Sequence, residues 1–183
     1  MKFVYVSGRR CLDFAGTLKY RRSAREELLT DPDRLSDWAL QAGLVDAPVS
    51  VTEDDLAAAI ELREAIYRVV TARLEHRPLD VADVALINDR ASQPRLTPRL
   101  DPAGSSSRDG TASQLLASLA ADLLDLVASG DIDNVKGCAH ENCTRLYLDS
   151  SRAKNRHWCG MGTGGNKVKV QAFRARQRAA AGS

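Results

Sequence analysis

Aromatic residues make up only 5% of this chain, with three histidines and four cysteines. No run of about 18 apolar residues occurs, so no segment reads as a membrane-spanning helix. The opening stretch MKFVYVSGRRCLDF lacks the basic start, long apolar core and small-residue cleavage site of a signal peptide, and a cytoplasmic protein is the expectation. There is no internal repeat and no glycine-rich phosphate loop. Four cysteines do not make this a secreted disulfide scaffold, because three of them cluster at a spacing that in a reducing compartment suits a metal. Acidic residues run out entirely after Asp149.

The charge that is present is unevenly distributed. Residues 1–135 hold 16 Lys/Arg against 22 Asp/Glu, a net of −6, and residues 136–183 hold 10 against 2, a net of +8. Such a split points to a polyanionic partner for the C-terminal part and none for the rest. With 44% apolar residues in 183, the chain can bury an ordinary core. Its length suits one domain of about 130 residues plus a small appendage.

Helical signals dominate the first 135 residues. A short helix is expected around Leu12–Leu18. Asp31 and Pro32 then start a helix carrying Leu35, Trp38 and Ala39, and Gly43 stops it. Thr52 caps a longer helix opening on Glu53-Asp54-Asp55, with Leu56, Ala59, Ile60, Ile66, Tyr67, Val70 and Leu74 on one apolar face, interrupted by Arg63. Pro78 ends it, and Asp80 begins another that runs to about Ala91. Residues 92–111, with three prolines and Ser105-Ser106-Ser107, read as an exposed loop in which Leu96–Leu100 is a short strand. A last helix of this part runs from Thr111 or Ser113 to Gly130. Residues 132–136 form a short link, and a basic helix is expected from Gly165 to about Ala180.

Cys138, Cys143 and Cys159 lie within 22 residues, and Cys11 stands alone. Four residues separate the first two on an expected turn, Leu146-Tyr147-Leu148 reads as a strand, and His157-Trp158 precede the third. This is the plan of a small structural zinc module, in which ligand binding replaces a core that 48 residues cannot supply. Zinc wants four ligands, and only three thiolates are present. The fourth is His140, His157, a carboxylate such as Glu141, or water; the remaining alternative is that no metal binds. Arg152, Lys154, Arg156, Lys167, Lys169, Arg174 and Arg176 are candidate phosphate contacts, and Asn166 either reads a base edge or caps the helix. Trp158 is expected in the module's core, and Cys11 as a buried small residue.

The pieces CAHENC (138–143), LYLDSSR (146–152), WCGM (158–161) and GGNK (164–167) resemble the CGNR zinc finger, a bacterial module, in their order and spacing. The run from Gly8 to Phe14, Thr17-Leu18 and Leu35–Leu44 resemble the ABATE family, described as stress-induced transcription regulators. The resemblance implies a mainly α protein: a helical ABATE-like domain over 1–135 and a treble-clef-like, short-stranded finger with a basic helix over 136–183. It also implies zinc, DNA binding, and a body that senses a small-molecule effector. A regulator of this type commonly forms a homodimer. This sequence departs from the finger pattern at Gly164, which stands where the fourth cysteine belongs, and at Lys167, which replaces an arginine. The departure keeps other readings open, namely a small-molecule-binding protein or enzyme diverted from the same scaffold, or a tail that docks an acidic protein. No catalytic set is assigned.

Overall fold

The computed structural model describes residues 2–160. The basic helix expected from Gly165, and with it Asn166, Lys167, Lys169, Arg174 and Arg176, lies outside the described residues.

The chain is mainly helical, as its capping signals predict. Helix α1 spans Arg10–Ala15, α2 Pro32–Gln41, α3 Glu53–Leu74, α4 Val81–Ser92 and α5 Ala112–Ala128. The cap residues act as read from the sequence. Asp31 accepts from the Arg34 N–H, and Asp80 from those of Ala82 and Asp83. Thr52 and Thr111 each close a reciprocal capping box, with Asp55 and Gln114 respectively. Helix α1 lacks a cap of its own. Asp122 on α5 takes the Cys11 N–H at 2.8 Å and pairs with Arg9 at 3.0 Å, so tertiary packing supplies what local sequence does not.

Helix α3 occupies the centre and packs against α1, α2, α4 and α5. Its periodicity predicts a single apolar stripe. The structure buries Leu62, Ala65 and Val69 as well, because helices cover it on several sides. Trp38 sits beside Phe14 with ring centroids 5.0 Å apart, and Cys11 is completely buried, as expected of a small core residue.

Among the described residues, three two-stranded antiparallel pairs accompany the helices. Strand β1 (Leu18–Lys19) pairs with β2 (Glu26–Glu27), a hairpin the sequence did not announce. Strand β3 (Arg99–Leu100) pairs with β4 (Ser106–Ser107) in the exposed loop. Strand β5 (Val135–Gly137) pairs with β6 (Leu146–Leu148) and leads into the cysteine region. The link at 132–136 is a 3-10 turn, Asp131–Asn134, running into β5. Ile132, Val135 and Leu146 join the same apolar cluster as α3 and α5, so the core continues from the helices into the β5–β6 hairpin.

Arg63, the interruption in the apolar face of α3, is 1% exposed. Its guanidinium meets Glu27 bidentately at 2.6 and 2.8 Å, and Nε reaches Glu64 at 2.9 Å. Glu64 also receives Arg21, whose guanidinium stacks 3.9 Å over the Tyr67 ring. Burial alone raises the Glu64 carboxyl, but the hydrogen bond and charge of Arg21, backed by Arg63, hold it below its ordinary value. This network fastens the β1–β2 hairpin to α3. Replacing Arg63 with Met leaves Glu27 without its cation, while Glu64 keeps Arg21, and a loss of about 3 kcal/mol is expected in urea unfolding. Thr52→Ala should remove only about 1 kcal/mol in the same measurement.

Candidate metal centre

Strand β5 ends in a turn that β6 closes. Cys138 N–H donates to the Arg145 carbonyl at 3.0 Å and extends the ladder, and Cys143 N–H donates to the His140 carbonyl at 2.9 Å. Both thiols therefore project from one tight turn. The chain returns to them through a loop organised by Asp149, which is fully buried. Its carboxylate accepts from Lys136 Nζ at 2.7 Å, Ser151 N–H at 3.0 Å and Arg156 N–H at 2.9 Å. The Lys136 ammonium and the Ser151 hydroxyl hold Asp149 well below the usual carboxylate range.

Tyr147 is the buried aromatic of this region. Its hydroxyl donates to the Arg156 carbonyl at 2.7 Å, and the Arg156 guanidinium lies 4.5 Å over its ring. Trp158, expected at this position, is only half-buried and meets the His157 ring edge-on at 5.8 Å. The inward pleat of β6 places Tyr147 beneath the loop, which leaves Trp158 at the rim.

The loop delivers Cys159 to the turn. His157 O accepts from Ala139 N–H at 2.9 Å, Cys159 N–H points at Cys138 Sγ at 3.5 Å, and Cys143 Sγ lies 3.9 Å from Cys159 Sγ. All three Sγ atoms are within 4.8 Å of one another. A tetrahedron of thiolates at about 2.3 Å from zinc has an edge of roughly 3.75 Å, so the cluster fits that ion. The hydrogen bond shared with Cys159, together with burial, pushes the Cys143 thiol well above its ordinary value. Crowded neutral thiols resist ionisation, and a bound divalent cation reverses that by compensating the charge of each thiolate.

No histidine nitrogen or carboxylate joins the three thiols in that group among the described residues. His140 and Glu141 are exposed on the turn, and His157 is exposed beside Trp158. Among the candidate phosphate contacts, Arg152 is exposed. Lys154 Nζ donates to the Asp149 carbonyl at 2.8 Å. Arg156 is committed inward, to the Trp158 carbonyl at 2.7 Å and the Cys159 carbonyl.

The residues preceding α1 hold this region against the helices. Leu148 N–H donates to Ser7 O at 2.7 Å, Arg145 Nη1 to Val4 O at 2.9 Å, and Arg156 Nη2 to Val6 O at 3.3 Å. Gly8 adopts φ +81°, and a Cβ there would sit 3.3 Å from Leu148 Cβ, so the close approach needs glycine. A cleft of about 360 Å³ is lined by the three cysteines and His140 from the finger and by Leu18, Lys19 and Tyr20 from the first hairpin, so His140 is the one candidate fourth ligand among the described residues that shares a cleft with the thiols.

A hairpin-borne thiol cluster set on a helical body, at the head of a basic run, defines a zinc-finger protein. Residues 8–130 match the ABATE family, "Putative stress-induced transcription regulator", and residues 134–177 match the CGNR zinc finger. The chain belongs to the ABATE family and carries a CGNR zinc finger, which with the thiol cluster supports zinc as its cofactor. No curated protein matches it.

The spacing of the thiols was legible in the sequence. Asp149 was missed as an organising residue, and its only signal was its place as the last acid before a wholly basic stretch. Its depressed titration has a definite sign. The stabilisation is present above the unfolded carboxyl value of about 3.9 and is lost as pH falls below it toward the folded value. An Asp149→Asn variant should be less stable than the parent at pH 7, and the gap should narrow on acidification below about pH 4 in denaturant titrations at several pH values.

Proposed function

We propose that the protein is a DNA-binding transcriptional regulator. Its helical body senses an effector, and its C-terminal finger, with zinc on Cys138, Cys143 and Cys159, contacts DNA. The observation that carries this reading is the net +8 of residues 136–183, carried by a segment that begins at a metal-fitting thiol cluster. Cations concentrated in one segment neutralise phosphates and release their counterions. The family description supports the same reading.

Arg152 and the run Lys167, Lys169, Arg174 and Arg176 are the proposed phosphate contacts, with Asn166 at a base edge or a helix start. Arg156 and Lys154 serve chiefly to shape the loop, since their side chains are bonded to backbone carbonyls. The body, with its net −6, carries no comparable excess of cations. The helical domain and the finger divide near residue 135 in this reading, with a shared apolar cluster and the segment before α1 joining them.

The test is metal analysis of the purified protein combined with DNA titrations at two salt concentrations. Stoichiometric zinc is expected. With about five phosphate contacts, affinity should fall roughly five-hundredfold between 50 and 200 mM salt. Arg152→Ala should weaken binding evenly across sequences and reduce the salt slope by about 1. Absence of both zinc and salt-dependent binding would overturn the reading.

A further inference from the structure

We propose that the loop of the β1–β2 hairpin, residues 20–25, is a second nucleic-acid contact, supplied by the helical domain and docked beside the finger. The inference rests on the DNA-binding reading above and extends its surface to a part of the chain whose overall charge points away from such a role.

The net −6 of residues 1–135 conceals a local excess of the opposite sign. The stretch Lys19-Tyr20-Arg21-Arg22-Ser23-Ala24-Arg25 holds four cations and no acid. The carboxylates that lie against it are already matched. Glu26 pairs with Lys19 at 3.0 Å, Glu27 takes Arg63 bidentately, and Glu64 takes Arg21. Arg22 and Arg25 are left over. Both are exposed, and neither is in an ion pair among the described residues.

The loop is also held in one shape. The N–H groups of Ser23 and Arg25 both donate to the Tyr20 carbonyl, at 2.9 and 3.1 Å, and Tyr20 and Arg25 have φ of +51° and +41°. A side-chain-bearing residue keeps such a conformation only where its surroundings impose it. The Arg21 guanidinium ties the loop to the body through Glu64, the Tyr67 ring and the Ala15 carbonyl. Cations on a turn that is already ordered bind a polyanion at less entropic cost than the same cations on a free segment.

Position and chemistry together indicate the partner. Arg21 N–H donates to Thr144 Oγ1 at 3.2 Å, one residue after Cys143, and Tyr20 lines the cleft that the three cysteines share. The loop therefore abuts the turn on which the finger is built, and its two open charges add to the finger's +8. Both open residues are arginines, whose planar fork matches phosphate oxygens. A duplex presents phosphates at close and regular spacing, which an acidic protein surface does not.

The experiment titrates the full-length protein with duplex DNA at 50 and 200 mM salt. The parent is compared with Arg22→Gln alone and with Arg22→Gln plus Arg25→Asn, asparagine being tolerant of the left-handed backbone at 25. Two contacts added to about five on the finger steepen the parent's loss of affinity to roughly six-thousandfold. The double variant should lose only about five-hundredfold and Arg22→Gln about two-thousandfold, both with the parent's thermal melting. Arg22→Gln alone decides the question if the double variant melts early. Arg95→Gln plus Arg99→Gln removes the same charge beside Gln114, at the end of α5 opposite the finger, and should leave the parent's salt dependence unchanged. Equal salt dependence in the parent and the loop variants overturns the proposal while the finger's DNA binding stands. An equal change in the Arg95 and Arg99 variant overturns it too, because net charge alone is then acting. Poly-glutamate binding that the loop variants lose, with DNA binding untouched, assigns the loop to an acidic protein and overturns it as well. A parent that binds no DNA at either salt concentration overturns the DNA-binding reading itself, a result distinct from the other three.

Discussion

The backbone of Ser7 is shared between the two halves of the molecule. Its N–H donates to the Asp13 carboxylate on α1 at 2.9 Å, and its carbonyl accepts from Leu148 on β6 at 2.7 Å. Ser7 is fully buried, so neither bond is exchanged cheaply with water. Burial raises the Asp13 carboxyl, and the hydrogen bonds from Ser7 oppose that rise. The orientation of the finger relative to the helices follows from this one residue and its neighbours Val4 and Val6, whose carbonyls take Arg145 and Arg156. A metal centre attached in this way does not swing freely. What happens in the cleft beside it is felt by both parts.

The body uses charge in the same economical way. Arg63 is buried because Glu27 and Glu64 meet it, and Glu27 stays on a strand because Arg63 is there. An unpaired guanidinium at that depth would be strongly unfavourable, whereas a bidentate pair gives directional hold. The finger repeats the device with opposite sign. Asp149 is a buried carboxylate ringed by Lys136, Ser151 and the Arg156 N–H, and it takes the place of the apolar core that so short a segment cannot assemble.

The helices were legible because their signals are local. Asp31, Thr52, Asp80 and Thr111 each cap a neighbour two or three residues away, and periodicity carried the rest. The thiol cluster was legible because the order and spacing of its three cysteines survive folding as a turn and a return. The β1–β2 hairpin was not. Glu26-Glu27 has no strand propensity, and the pairing exists through Lys19 and a residue on α3, 36 positions away. Trp158 is expected in the core from its place beside Cys159, but the pleat of β6 gives that place to Tyr147. Local rules found the elements, and long-range charge pairs decided how the elements meet.

The hairpin that walls the cleft is held at two points. Its base is tied to α3 through Glu27 and Arg63, and its loop touches the finger where Arg21 N–H reaches Thr144 Oγ1 at 3.2 Å. A molecule thick enough to part Tyr20 from the thiols must either stretch the second contact or lever the first. The hairpin thus works as a caliper with one jaw on the metal turn and its pivot on the central helix. Whatever occupies the cleft therefore bears at once on the finger and, through Arg63, on the central helix.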